Sequence, residues 1–149
     1  MIRLRPGRPD EATALTELTL RSKAHHGYDD AFLTAVRAEL TITPDDCDGR
    51  LVVAERDGTL LGYYAVTGTP PTGELDSLFV DPTAIGTGLG GMLLRAARAH
   101  ATELGFTTLR IDADPGAEAF YRHAGARRVG EAPSGSIAGR LLPRLELEV

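Results

Sequence analysis

The sequence predicts a single α/β domain on a mixed sheet with helices on both faces, and three observations carry that reading. Apolar periodicity and turn residues give the element order β α α β β β α β α β β, which combines a meander with strand–helix–strand units. Two apolar runs joined by Arg56, Asp57 and Gly58 form a hairpin in the first half. In the second half, a dense glycine cluster, Gly86, Gly88, Gly90 and Gly91, opens the first of two strand–helix–strand units. A chain of 149 residues suits one domain, residues 1–149, that buries about two-thirds of its unfolded surface.

Ile2 to Arg5 alternates as a short strand. Pro9 and Asp10 then start a helix in which Ala12, Leu15 and Leu18 share a face. A polar loop, Ser22 to Asp30, leads to a second helix that Asp29 or Asp30 caps. Phe32, Val36 and Leu40 fall four apart in it, and it ends before Pro44. Leu51 to Glu55 and Leu60 to Val66 are the hairpin strands, a loop covers Thr67 to Gly73, and Glu74 to Val80 is the next strand. Leu89 to Leu104 reads as a helix with Leu89, Met92, Leu93, Ala96 and Ala97 on its buried side, stopped by Gly105. Phe106 to Ile111 is a strand, and Asp114 and Pro115 cap and open a helix that ends near Gly125. Arg127 to Val129 and Leu141 to Val149 are the last strands, around a loop from Glu131 to Arg140.

Composition narrows the function classes. With 42% hydrophobic and 25% charged residues the chain is globular in type, and its net charge of -5 gives no basic footprint for nucleic acid; a cationic small partner suits that field better. The N-terminal stretch has no apolar run of signal-peptide length and no segment approaches a membrane span, so a cytoplasmic location is expected, with no membrane partner. Cys47 is the single cysteine, beside Asp45, Asp46 and Asp48, whose charges disfavour a thiolate. His25, His26, His100 and His123 show no ligand spacing with other metal-binding residues, and no metal is expected.

The glycine cluster fits two pyrophosphate-binding designs. Gly86, Gly88 and Gly91 spell G-x-G-x-x-G, with an acid, Asp112, 21 positions beyond Gly91, as in a dinucleotide site. Against that, Asp81 to Ile85 separate the strand end from the first glycine, and 37 residues after Asp112 are too few for the remaining units of a doubly wound sheet. The alternative needs only a bare turn opening a helix, whose amides converge on phosphate oxygens at the positive helix end.

The run Ile85, Gly86, Thr87, Gly88, Leu89, Gly90 resembles the coenzyme A turn of the GNAT superfamily of N-acetyltransferases, with Ile85 where the family usually has Arg or Gln. Glu74 to Pro82 looks like that family's central strand, and Asp114 to Arg127 is similar to its N-x-x-A-x-x-F-Y-x-x-x-G-F segment, with Asp114 in place of Asn. The resemblance covers nearly the whole chain. It implies a mostly antiparallel sheet of about seven strands and acetyl-CoA as co-substrate. The implied cofactor contacts are Leu78, Phe79, Val80, Gly86, Thr87, Gly88, Leu89, Gly90, Gly91, Asp114, Ala117 and Phe120, with charge from Arg95 or Arg98 along the helix. Homodimers are common in the family.

Acetyl transfer to an amine requires a base for the ammonium, polarisation of the thioester carbonyl and a proton for the leaving thiolate. Tyr121 is the expected proton donor, because a phenol keeps its proton at neutral pH and the family's equivalent tyrosine lies near the coenzyme sulfur. Ala117, Phe120 and Ala124 form the apolar stripe of its helix and leave Tyr121 to one side. Strand periodicity puts Glu74 and Asp76 on one face with Leu78 and Val80. Either acid is a candidate base, and two acids on a solvated face is the competing reading. By resemblance, amides around Leu78 to Val80 polarise the carbonyl. Tyr28, Tyr63 and the loop from Ser134 to Arg140 are placed on the acceptor side, with Arg140 as a holder of a substrate carboxylate. The expected partner is a small-molecule amine, a peptide N-terminus or a lysine. A coenzyme A module that binds without turnover is the alternative.

Overall fold

The computed structural model describes residues 1–149. In chain order the elements are β1 (Arg3–Pro6), α1 (Ala12–His25), α2 (Asp30–Leu40), β2 (Leu51–Arg56), β3 (Thr59–Thr69), β4 (Thr72–Val80), α3 (Leu89–Glu103), β5 (Thr108–Asp112), α4 (Glu118–His123), β6 (Arg127–Pro133) and β7 (Leu141–Glu148). The seven strands form one sheet in the order β1-β2-β3-β4-β5-β7-β6. The β4–β5 pair, joined through α3, is parallel, whereas β1–β2, β2–β3, β5–β7 and β6–β7 are antiparallel. The mixed, mostly antiparallel α/β architecture expected from the sequence is the one observed. No helix is long and apolar enough to cross a membrane.

Several boundaries differ from the sequence reading, each for a local reason. α1 does not stop at Ser22 but continues to His25, because Ser22, Lys23 and Ala24 impose no break and Gly27, at φ +95°, ends the turn instead. The loop expected over Thr67–Gly73 contracts to Pro70–Pro71, since β3 and β4 run on to Thr69 and from Thr72. β6 extends to Pro133 because Glu131, Ala132 and Pro133 stay in register with Pro143, Leu142 and Leu141. The hairpin turn is as expected: Asp57 and Gly58 both take positive φ, 51° and 82°, the type I′ form that matches strand twist. In α3, Leu89, Leu93 and Ala97 are buried as expected, joined by Leu94 and Ala101, while Met92 and Ala96 are only half-buried.

Two compact units make up the chain, Met1–Ala65 with Ser77–Arg95 and Val66–Asp76 with Ala96–Val149; β3, β4 and α3 contribute residues to both. The first unit is centred on Leu15, Leu18, Leu51, Val53, Tyr63 and Ala65. The Thr19 and Tyr63 hydroxyls hydrogen-bond at 2.6 Å, and the Thr16 hydroxyl accepts the Ile42 amide at 2.8 Å, fixing the segment after α2 to α1. Gly62 in β3 is a steric requirement: a Cβ there would lie 2.8 Å from the Phe79 carbonyl oxygen and 3.1 Å from Leu93. In the second unit the buried side chains include Leu75, Leu109, Ile111, Leu145, Leu147, Ala97 and Ala101. Arg98 closes it from α3 by donating to the Ala124 and Glu148 carbonyls at 3.3 and 2.8 Å.

An ionic cluster anchors the start of α1. Arg5 donates to both oxygens of Glu11 at 2.9 and 2.8 Å and to Glu55 at 3.3 Å, and Glu11 also accepts the Arg8 amide at 2.9 Å across the turn Pro9–Glu11. The Arg5 hydrogen bonds, opposed by burial and aided by the Arg8 amide, hold the Glu11 carboxyl at about 2, below its ordinary 4.5. A carboxyl that resists protonation in the fold stabilises it above pH 4.5 and loses that contribution as pH falls toward 2. Acid unfolding of the wild type should therefore steepen across that window. Glu11→Gln should flatten it and cost about 2 kcal/mol at pH 7 in urea titrations, the size of a charged hydrogen bond.

Candidate active site

The glycine corner is built from the end of β4. The Asp81 amide donates to the Leu61 carbonyl at 2.7 Å, locking the strand end to β3. The buried Asp81 carboxylate then caps the turn Pro82–Ala84, accepting the Thr83 amide at 3.1 Å and its hydroxyl at 2.6 Å, and it receives Arg21 at 3.1 and 2.8 Å. Burial alone would raise this carboxyl. The Thr83 and Arg21 hydrogen bonds outweigh it and hold Asp81 below the usual range. The sequence reading took Asp81 to Ile85 only as the spacer between strand and glycines; neither the Asp81 cap nor its partner Arg21, sixty positions away on α1, was read from it.

After this anchor the chain crosses Ile85, 37% exposed, and passes through Gly86 at φ +82° and Gly88 at φ +85°, conformations that L side chains rarely adopt. The Thr87 hydroxyl donates to the Ala84 carbonyl, and the Gly88 carbonyl takes the first α-helical bond from the Met92 amide at 3.1 Å. None of the amides from Gly86 to Gly91 donates to another group of the chain. Six N–H groups are therefore left for outside acceptors in the segment that opens the 15-residue α3, where the positive helix end favours phosphate oxygens. Arg95 lies along the first turn, its Nη1 3.4 Å from where a Gly91 Cβ would sit. Arg98, the other candidate cation, is instead tied to the carbonyls of the second unit.

In the second unit, Asp114 caps the turn Pro115–Ala117 by accepting the Gly116 amide at 2.8 Å, and α4 follows. The face expected to be buried is not the one that is. Tyr121 is 7% exposed, whereas Phe120 is 38% exposed and Ala117 and Ala124 are half-buried. A six-residue helix buries what its turns dictate, and the Ala124 and Ala126 amides both close on the Tyr121 carbonyl at 3.1 Å, drawing that residue inward. Burial alone pushes the Tyr121 phenol above its ordinary 10, so it stays protonated throughout the neutral range.

Glu74 and Asp76 are exposed and alternate with buried Gly73 and Leu75, as periodicity required. The alternation then fades, since Ser77 to Val80 are all half-buried, and the parallel pairing of β4 with β5 covers only Thr72–Glu74. Glu74 has Arg110 as its nearest cation, at 4.0 Å. The acceptor-side residues divide. Tyr28 stacks on Phe32 at 4.1 Å, with the Lys23 ammonium 5.2 Å from its ring and 5.8 Å from that of Phe79. Tyr63 has no exposed surface and belongs to the core, tilted against Phe79 at 5.9 Å. Ser134 and Arg140 close their own loop through the Ser134 amide and Arg140 carbonyl at 2.8 Å, and the Arg140 guanidinium is held by Asp114 at 3.5 Å.

The turn makes a testable demand on its glycines. Gly86→Ala and Gly88→Ala meet open space but an unfavourable φ, so each should cost about 1–2 kcal/mol in urea unfolding. Gly91→Ala, in ordinary helical backbone, should cost nothing or add stability.

Known proteins match this chain along most of its length. The model of the Acetyltransferase (GNAT) family matches residues 13–126. The chain is 32% identical over 146 residues to a mycothiol acetyltransferase of Propionibacterium freudenreichii subsp. shermanii, covering 89% of this chain and 46% of that protein. It is 33% identical over 114 residues to one of Thermomonospora curvata, covering 73% of this chain and 36% of that protein. The chain thus spans less than half the length of these curated relatives. Among solved structures it is similar in fold to the PaiA N-acetyltransferase of Thermoplasma acidophilum in complex with coenzyme A, with a TM-score of 0.82 at 17% identity over 100% of this chain and 99% of that one. The matched range takes in the glycine corner, the strand before it and the helix after it, and the chain belongs to the GNAT acetyltransferase family.

Proposed function

We propose that this chain is an N-acetyltransferase that moves an acetyl group from acetyl-CoA to a primary amine in the cytoplasm. The observation that carries the proposal is the run of six unpaired amides from Gly86 to Gly91, for which the pyrophosphate of coenzyme A supplies acceptors. The solved relative with coenzyme A bound and the acetyltransferase names of the curated relatives support the same reading.

In this proposal the amides of Gly86, Thr87, Gly88, Leu89, Gly90 and Gly91 hold the pyrophosphate, with Arg95 adding charge where Ile85 has none. Amides of Leu78, Phe79 and Val80 polarise the thioester carbonyl, and Asp114, Ala117 and Phe120 line the cofactor's path along α4. Glu74 or Asp76 takes the proton from the acceptor ammonium, directly or through water, leaving a nitrogen lone pair to attack the carbonyl carbon. As the carbon–sulfur bond breaks, Tyr121 gives its proton to the departing thiolate. Tyr28 and the Ser134–Arg140 loop face the acceptor, and Tyr63 enters only as the support beneath Phe79. The acceptor class spans a small molecule, a peptide N-terminus or a lysine.

Two experiments test the proposal. With acetyl-CoA at about 100 times its dissociation constant, thermal unfolding should show about 2.7 kcal/mol of added stability, and NAD should show none; stabilisation by NAD alone would favour the dinucleotide design. Thiol release across an amine panel should show turnover, and Tyr121→Phe should lower kcat by about 100-fold or more while the KM for acetyl-CoA changes little. An unchanged kcat would remove Tyr121 from the mechanism. Because burial raises the phenol, the wild-type rate should show no Tyr121-dependent fall up to pH 10, and its acid limb should move in Glu74→Gln or in Asp76→Asn. The apolar Ile85 at the turn gives a second reading its footing: binding of acetyl-CoA with no product from any amine would mark a sensing module.

A further inference from the structure

The sheet surface of the second unit that carries Glu74 is built of charge. β4, β5 and β7 place Glu74, Asp76, Arg110, Asp112, Arg144 and Glu146 in alternation with buried Leu75, Leu109, Ile111, Leu145 and Leu147. Most of the cations near this surface are committed. Arg144 donates to both oxygens of Asp112 at 2.8 and 3.0 Å, Arg127 pairs with Glu146 at 3.6 Å, and Arg140 is held by Asp114.

Arg110 differs. It stands in register with Glu74 on β4 and with Glu146 on β7, and Glu146 already has Arg127. Its guanidinium makes no hydrogen bond, its Nε is shielded from solvent without an acceptor, and the nearest carboxylate oxygen, Oε1 of Glu74, lies 4.0 Å from Nη1. That distance neutralises charge without satisfying donors. A buried Nε–H with no acceptor is costly, and such groups in native folds call for an explanation; the Nη groups beside it are the ones a ligand can reach.

We propose that Arg110 selects the acceptor by binding a carboxylate that the acceptor carries close to its amine. Resting on the acetyltransferase reading above, this narrows the acceptor to a zwitterionic, amino-acid-like amine, with its ammonium toward Glu74 and its carboxylate on the Arg110 fork. Adjacent strands lie about 4.8 Å apart, a span that an ammonium and a carboxylate separated by one to three carbons can cover. A planar guanidinium receives a carboxylate through two parallel hydrogen bonds, which a lysine ammonium cannot reproduce. Carboxylate recognition is thereby assigned to a residue that carries no sequence motif.

The test is a set of amino acids each paired with its decarboxylated amine, assayed for thiol release from acetyl-CoA. The wild type should favour the carboxylate-bearing member of the preferred pair by at least about tenfold in kcat/KM, and Arg110→Gln should lower that value by about 10- to 100-fold. Losing the cation beside Glu74 acts on both members alike, so the readout is their ratio, which should fall toward one in Arg110→Gln and lie between in Arg110→Lys, with acetyl-CoA stabilisation retained in both variants. Equal wild-type use of both members, or a ratio unchanged in Arg110→Gln, would overturn the assignment while leaving acetyl transfer intact. Should Arg110→Gln not fold, the wild-type ratio and Arg110→Lys decide in its place. Absence of thiol release with every amine would sink the acetyltransferase reading, and this inference with it.

Discussion

A helix must begin with amides that have no partner in their own backbone, and here that necessity is concentrated on one corner. Most helices cover these groups with a capping side chain. α3 has Gly88 at its cap position, preceded by Gly86 and followed by Gly90 and Gly91, so no side chain competes for the donors. The surrounding first unit keeps the corner fixed. Asp81 ties it to β3 through Leu61 and to α1 through Arg21, and Gly62 leaves room for the Phe79 carbonyl and Leu93 to approach. A phosphate-binding turn needs such rigidity, because converging amides lose their advantage if the turn must be ordered when ligand arrives.

The second unit holds the groups proposed for the chemistry, and its burial pattern divides them. Tyr121 lies inside, where the absence of water favours its neutral form, while Glu74 and Asp76 are exposed on the sheet surface. A buried phenol and exposed carboxylates offer opposite surroundings, which suits the proposed reaction, in which one proton is removed and another delivered. The same unit uses most of its arginines structurally: Arg98 closes α3 onto two carbonyls, Arg140 joins its loop to the Asp114 cap, and Arg144 spans β5 and β7.

The elements with local chemical causes could be read from sequence. The Asp57–Gly58 turn, the Asp29 and Asp114 caps and the Gly105 stop each act through bonds within a few residues, and each was found where expected. The glycine corner was readable for the same reason, since positive φ and bare amides are properties of the residues themselves. What failed depended on partners far along the chain. Burial of Tyr121 rather than Phe120 depends on how a six-residue helix is turned toward the sheet, and the apolar letters of both residues fit either outcome. Tyr63 looked like a binding-site aromatic but is claimed by Thr19 from α1. Arg21, Arg110 and Arg140 are indistinguishable in one dimension; only cross-strand and cross-helix neighbours show that the first and third have carboxylates and the second has no hydrogen-bond acceptor.

The proposed acetyl transfer depends on what the amides at the start of α3 do when coenzyme A is present. The most direct measurement is an assigned amide-resonance titration of the wild-type chain with coenzyme A. The signals of Gly86, Thr87, Gly88, Leu89, Gly90 and Gly91 should move downfield together and become protected from exchange, as donors do when they engage phosphate oxygens. If coenzyme A binds while these six signals keep their positions and their exchange rates, the pyrophosphate is held elsewhere and the account is wrong.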